Sequence, residues 1–336
     1  MIKAVILILL ITVSSLFSPD PDLQRYEFEA PHMGTRFRII MYAPDEEIAK
    51  SASNAAFGQI EALNDIMSDY DSDSELNRLS RSSGSEAWIS LSPHLYGVLK
   101  KAEEVSRKSD GAFDITIGAY VQLWRDLRRK DDPRLPAKDV IADLKERTGY
   151  QHIIFNDEQQ SVKLLKSGMQ LDLGGIAKGY AADEALKAIQ NFGIMSALVD
   201  AGGDISMGEA PPNKEGWDIA IPSKDEMGKT SYIHFSLANQ AIATSGDLFQ
   251  FTEINGIRYS HIINPHTGMG LIQSHMVTII AQDGITADSY ASALSVLGPS
   301  AIQKFQDESG LAIHIETLED GNIIKTSSPS FEALIE

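Results

Sequence analysis

The feature that most constrains this chain is a succession of short apolar runs of strand length, many of them divided only by turns. Such runs fall near 196–201, 217–221, 232–236, 241–244, 258–263 and 276–281, with others near 152–156, 161–166 and 169–173. Asn255-Gly256 and Asp320-Gly321 are dipeptides suited to two-residue hairpin loops. Parallel neighbours need a long crossover, so this spacing predicts antiparallel pairing. Residues 24–43 read as two extended stretches around a Pro31–Gly34 turn. Helical spacing of Ile48, Ala52, Phe57, Ile60, Leu63 and Met67 predicts a helix over 45–67. Ser92-Pro93 opens another, with Leu95, Val98, Leu99, Ala102 and Val105 as its apolar face. Further helices are predicted over 177–191, 286–297 and 299–308, the last opened by Pro299. The expectation is an α+β protein, with mostly antiparallel sheets packed with helices. Length allows one or two domains, but Pro211-Pro212-Asn213 reads as a turn, so a single catalytic unit over 24–330 is expected.

Charge narrows the partners. The formal net charge of −18 argues against nucleic acid, which needs a basic stripe. One basic cluster, Arg125 to Arg134, is interrupted by Asp126, Asp131 and Asp132 and reads as a solvated loop. An anionic ligand would meet an unfavourable field, which a divalent cation would correct locally. Mg²⁺ suits that task because it commonly joins one or two carboxylates to substrate phosphates. The absence of cysteine excludes thiolate metal sites, disulfides and thiol catalysis. At the N-terminus, Lys3 precedes an apolar stretch from Ala4 to Val13 with Leu16 and Phe17. That is short of the ~20 residues of a membrane span and reads as an export leader over 1–18. An uncleaved anchor is the alternative; a cysteine-linked lipid is not available.

The segment 169–183, Met-Gln-Leu-Asp-Leu-Gly-Gly-Ile-Ala-Lys-Gly-Tyr-Ala-Ala-Asp, runs from an apolar stretch through a glycine pair into a helical pattern. A helix start of this kind suits a phosphate, yet it matches neither a P-loop nor a dinucleotide fingerprint. Read alone, it is equally a plain strand-to-helix turn. Its company is more specific. His32-Met33-Gly34-Thr35, Met67-Ser68-Asp69-Tyr70 with Asp73-Ser74-Glu75-Leu76, and Asp110-Gly111-Ala112-Phe113-Asp114 precede it. Asp200-Ala201-Gly202-Gly203-Asp204, Thr244-Ser245-Gly246-Asp247, His261-Ile262-Ile263-Asn264-Pro265-His266-Thr267-Gly268 and Thr286-Ala287-Asp288-Ser289-Tyr290-Ala291-Ser292 follow. In that order, over roughly 27–328, these blocks closely resemble the ApbE family of FAD:protein FMN transferases.

The resemblance implies transfer of FMN from FAD to a Thr or Ser hydroxyl of an exported client, such as a redox membrane-complex subunit, with release of AMP. It implies a Mg²⁺ site from Asp288, Ser292 and the main-chain carbonyl of Gly175. Asp288 and Ser292 are spaced i, i+4, so one helix face can carry both. Ser292 stands where the family usually has Thr, and Ala291 where some relatives have a further acid. FAD contacts are implied at Met33, Tyr70, Ala112, Phe113, Asp114, Asp172, Lys178 and Ile263, although Phe113 and Ile263 read equally well as core. Gly202-Gly203-Asp204 and Thr244-Ser245-Gly246 read equally as contacts or tight turns. His261 is the implied base, its pKa range suiting proton transfer. A carboxylate such as Asp288 is the other candidate, and His266 could be merely exposed. Asn264 replaces the family's Asp, keeping turn hydrogen bonds while losing charge. A hydrolase or carrier, in which water replaces the client hydroxyl, uses the same residues; a redox flavoenzyme is the weaker third class. Location is expected outside the cytoplasm, in the periplasm or at the outer face of the cytoplasmic membrane.

Overall fold

The computed structural model describes residues 23–224, 229–246, 251–307, 310–319 and 322–335. The leader, Asp247 and the Asp320-Gly321 dipeptide lie outside them. The chain opens on a hairpin, β1 (Gln24–His32) and β2 (Thr35–Ala43). Its two-residue turn puts Met33 and Gly34 at φ of 47° and 71°, the positive torsions that match the twist of paired strands. Helix α1 (Glu46–Met67) starts where the Asp45 side chain accepts from the Ile48 N–H at 2.8 Å, and it buries Ala49, Ala52, Ala56, Ile60 and Leu63. Then come α2 (Glu75–Arg81), β3 (Ile89–Ser90), α3 (Pro93–Lys108), α4 (Gly118–Arg128) and α5 (Lys138–Glu146). Strands β4 (Ile153–Asn156) and β5 (Ser161–Leu164) form a small antiparallel sheet with β3.

Helix α6 (Ala177–Gln190) leads to β6 (Ala197–Ala201) and β7 (Ile205–Met207), then the long hairpin of β8 (Trp217–Lys224) and β9 (Thr230–Leu237). After β10 (Ala241–Gly246) come the hairpin of β11 (Phe251–Ile254) and β12 (Ile257–Ser260), and the pair of β13 (Ile263–Asn264) and β14 (Met269–Gly270). The chain closes with β15 (His275–Ala281), α7 (Gly284–Leu297), a 3-10 turn over Pro299–Ala301, α8 (Ile302–Phe305), β16 (Ala312–Glu319), β17 (Asn322–Ser327) and α9 (Pro329–Glu332).

The principal sheet has eight strands in the order β1-β2-β6-β7-β10-β15-β16-β17, and each neighbouring pair is antiparallel. Alternation along the strands separates two cores. Phe37, Ile39, Met41, Val199, Ala243, Ile279 and Ile313 face a helix layer of α1, α3, α6 and α7. Ile40, Leu198, Ile242, Ile280 and Ala312 face the β8–β9 hairpin and Phe331 of α9. A sheet covered on both faces explains why its strands read as continuous apolar runs. The α+β, largely antiparallel expectation is therefore what the chain adopts.

Three local expectations differ from the structure. Residues 169–173 form no strand: they make one isolated parallel bridge, Ile117 to Gln170. Met169, Leu171 and Leu173 are buried, which accounts for the apolar run. Their backbone is tied to loops instead, with Asp172 N–H donating to the Ile115 carbonyl at 2.8 Å and Leu171 N–H to Ser80 Oγ at 3.1 Å. Of the segment expected as one helix over 299–308, the described part, 299–307, breaks into the 3-10 turn and the short α8. The basic cluster is not wholly a loop, because α4 runs to Arg128, held by buried Tyr120, Trp124 and Leu127 at helical spacing. The 211–213 turn is confirmed, Lys214 N–H closing on the Pro211 carbonyl at 3.0 Å.

Candidate functional site

A cavity of about 820 Å³ opens where the helix layer meets the ends of the central strands. All twelve site residues expected from the sequence lie on its wall: Met33, Tyr70, Ala112, Phe113, Asp114, Asp172, Gly175, Lys178, His261, Ile263, Asp288 and Ser292. They come from six separate parts of the chain.

A glycine contact sets the geometry of α6 and α7. A Cβ on Gly179 would run into the Gly284 carbonyl, and one on Gly284 would lie 2.5 Å from the Gly179 carbonyl oxygen. Only glycine at both positions lets the two helix starts approach so closely. Asp183 joins them further, accepting from Gly284 N–H at 2.7 Å, Ile285 N–H at 2.9 Å and Ser206 Oγ at 2.7 Å. This approach presses Asp288 of α7 against the first turn of α6, where its Oδ2 accepts the Gly179 N–H at 3.1 Å. That donor is otherwise an orphan of the helix terminus. Asp288 is 5 % exposed, and burial, then Asp204, push its carboxyl up to about 7. Lys178 and the Gly179 N–H pull the other way.

Ser292 lies one turn along α7, and a Cβ on Gly175 would be 2.5 Å from its Oγ, so the Gly175 backbone packs directly on this hydroxyl. One buried carboxylate, one hydroxyl and the neighbouring main chain form an oxygen-rich, incomplete donor set. It fits a small hard cation whose remaining ligands are phosphate and water. Among the described residues there is no cluster of three or more His, Asp or Glu that could hold a metal unaided. Lys178 is ion-paired with Asp204. Burial pulls its ammonium down, but Asp204 and Asp288 outweigh that and hold it above the ordinary range.

On another wall, Asp172 Oδ1 accepts the Gly174 N–H at 2.8 Å and Oδ2 faces Arg125 Nη2 at 3.8 Å. Burial, then Asp69, push Asp172 up to about 6. Arg125 pairs with Asp69 at 2.7 Å, and its guanidinium lies 4.1 Å from the ring centre of the largely exposed Tyr70. Arg128, also on α4, lines the cavity beside them. Asp114 reaches the wall but spends its oxygens on the protein, accepting from Thr116 N–H (2.8 Å), Thr116 Oγ1 (2.7 Å) and Tyr150 N–H (2.8 Å). It thereby shapes the Ala112–Asp114 turn. Phe113 and Ile263 are 6 % and 3 % exposed and belong to the core while lining the cavity, so both readings of them hold.

The remaining wall carries His261, between β12 and β13; His266 is exposed and off the wall. Asn264 keeps the turn, its Oδ1 accepting the His266 N–H at 2.9 Å. Trp124 of α4 donates from Nε1 to the Gly268 carbonyl at 2.9 Å, so the helix read as a loop braces the histidine segment. Gly202 and Gly203, at φ of 75° and 107°, make the β6–β7 turn, and Gly202 packs on Thr35. Thr244 Oγ1 lies 3.0 Å from Thr278 Oγ1, with Ser245 and Gly246 following on the cavity wall. Sequence reasoning missed Arg125 and Arg128, and the glycine contact between the helices. The spacing of Tyr120, Trp124 and Leu127 was the signal for the first; the second has no local signal.

Comparison with known proteins places this geometry. The ApbE family model matches residues 33–315. The FAD:protein FMN transferase of Escherichia coli K12 is 28 % identical over 312 residues, covering 91 % of this chain and 88 % of the relative. The flavin transferase ApbE of Vibrio cholerae superposes with a TM-score of 0.84 at 26 % identity, over 93 % of this chain and 99 % of that one. The flavinyl transferase ApbE of Pseudomonas stutzeri gives 0.82 at 25 % identity, over 93 % and 97 %.

Proposed function

Because this chain belongs to the ApbE family, we propose that it is an FAD:protein FMN transferase that uses Mg²⁺ and acts on a client outside the cytoplasm. The observation that carries the reading is the meeting, on one cavity wall, of Asp288, Ser292 and the Gly175 backbone, with His261 on the same cavity. Mg²⁺ bound there would neutralise charge on the donor diphosphate as it is attacked. Asp288, Ser292 and the Gly175 carbonyl would hold it.

The chain's own residues do the rest. A Thr or Ser hydroxyl of the client attacks the flavin-side phosphorus, the bond to the bridging oxygen breaks, and AMP departs with that oxygen. His261 takes the hydroxyl proton. Tyr70 offers an open aromatic face for ring stacking, while Met33, Phe113 and Ile263 supply apolar walls and the Ala112–Asp114 turn a backbone edge. Asp172 stays close to the glycine pair and orients it. Lys178 tempers the carboxylates of Asp204 and Asp288, so that an anionic donor can approach. The N-terminal apolar stretch supports export, and among the described residues no helix is long and apolar enough to cross a membrane.

The test is AMP release and flavin attachment, with and without an acceptor domain. A docked hydroxyl gains an effective molarity that can reach roughly 10⁵ M, so a cognate acceptor should raise AMP release well above the FAD-only rate. One FMN should be attached per AMP, and mutation of the acceptor hydroxyl should remove both effects. Equal AMP release with and without acceptor, and no flavin surviving denaturation, would make the chain a hydrolase.

A further inference from the structure

Three cations line the cavity, and two are already neutralised. Lys178 is paired with Asp204, and Arg125 with Asp69 and, at longer range, Asp172. Among the described residues Arg128 has neither a carboxylate within ion-pair distance nor a hydrogen bond, whereas its exposed neighbour Arg129 pairs with Asp126 at 3.6 Å. Arg128 is half-buried, and burial together with Arg125 disfavours its charge. Its place at the C-terminal end of α4 offsets only part of this cost. A chain with net charge −18 thus keeps an uncompensated guanidinium on the wall of the cavity that gathers the site residues.

We propose that Arg128, with Arg125 behind it, forms a phosphate-binding subsite on the α4 side of the cavity. The planar fork of a guanidinium matches phosphate oxygens in pairs, and such charge-assisted bonds are strong where water is partly excluded. Position supports a nucleotide phosphate. The Gly174–Gly175 turn lies between the two walls: Gly175 packs on Ser292 of α7, while Asp172, bonded to Gly174, faces Arg125 of α4. A dinucleotide filling the cavity therefore lies between the Asp288–Ser292 wall of α7 and the guanidinium groups of α4. This inference rests on the reading of FAD as donor. Its phosphate source is either the intact diphosphate or the monophosphate of departing AMP.

The experiment measures affinities of the full-length protein for FAD (with EDTA, to prevent cleavage), AMP, riboflavin and adenosine, in wild type, Arg128→Ala, Arg128→Lys and the control Arg129→Ala. Arg128→Ala should weaken a phosphate-bearing probe by roughly 10- to 100-fold. Arg128→Lys should recover part of this, and Arg129→Ala should change nothing. Riboflavin and adenosine should bind as before, and circular dichroism should stay unchanged. A loss confined to FAD assigns the diphosphate, and a loss shared by AMP assigns the leaving monophosphate. Unchanged affinity for both FAD and AMP overturns the subsite. Equal losses for riboflavin or adenosine overturn it too, since they mark a packing role. Failure of the wild type to bind FAD both with EDTA and with Mg²⁺ restored strikes instead at the donor reading, and the AMP arm then decides the subsite by itself.

Discussion

At the scale of single residues, the proposed mechanism assigns charge and proton transfer to different groups. Asp288 is a buried carboxyl whose charged form burial and Asp204 disfavour and Lys178 and the Gly179 N–H favour. Asp288→Ala should abolish FAD cleavage with the fold retained, as measured by AMP release across a Mg²⁺ titration. Wild-type-like rates at low Mg²⁺ would sink the metal assignment. Asp288→Asn isolates the charge, because the amide oxygen can still accept the Gly179 N–H. His261→Ala should slow transfer by roughly 10²–10⁴-fold with FAD affinity changed far less. If FAD binding collapses while the maximal rate holds, His261 binds and another group is the base. Asn264 argues that the family's acid is not needed for the turn itself: the amide oxygen makes the bond to His266.

Among the elements, two contacts place these groups. The Gly179–Gly284 crossing lets α7 bring Asp288 onto the first turn of α6. Gly179→Ala would drive a methyl into the Gly284 carbonyl, an overpacking that costs about 1–3 kcal/mol. It should lower Tm and weaken Mg²⁺-dependent activity together; an unchanged Tm would show that the helices part freely. Helix α4 supports the opposite wall through Trp124. Trp124→Phe keeps most of the ring but removes the bond to the Gly268 carbonyl, a loss of about 1 kcal/mol. The expected signature is faster hydrogen exchange across 261–270, with exchange in the eight-stranded sheet unaltered.

For the whole molecule, the balance of buried carboxylates sets a pH dependence. Asp172 and Asp288 titrate at about 6 and about 7 in the folded protein, above their unfolded values. The folded state therefore binds more protons than the unfolded one, and metal-free stability falls as pH rises from about 4 through these values. His152, shifted down chiefly by burial, opposes this at the acid end. Metal-free Tm should be higher at pH 5.5 than at pH 7.5, a difference that Asp172→Asn with Asp288→Asn removes and Mg²⁺ reduces. A flat or reversed profile in the metal-free protein would refute it. Much of the architecture was legible in the chain beforehand. The Asn255-Gly256 dipeptide and strand-length apolar runs marked an antiparallel α+β fold, and the ordered blocks around Asp288, Gly175 and His261 marked residues that gather on one cavity, because both signals are local. The 169–173 run misled because burial favours apolar residues whatever the backbone pairs with, and Leu171 and Leu173 are core without being strand. Arg125 and Arg128 were hidden for the converse reason: charges beside Asp126 look solvated until Tyr120 and Trp124 fix which way the helix faces. By itself the sequence determined many of the elements, the chemistry they could carry and the family. The tertiary structure alone decided which carboxylates lose water, which cations lose their partners and how closely two helices meet, since burial and contact depend on residues more than a hundred positions apart, as Gly179 and Asp288 are.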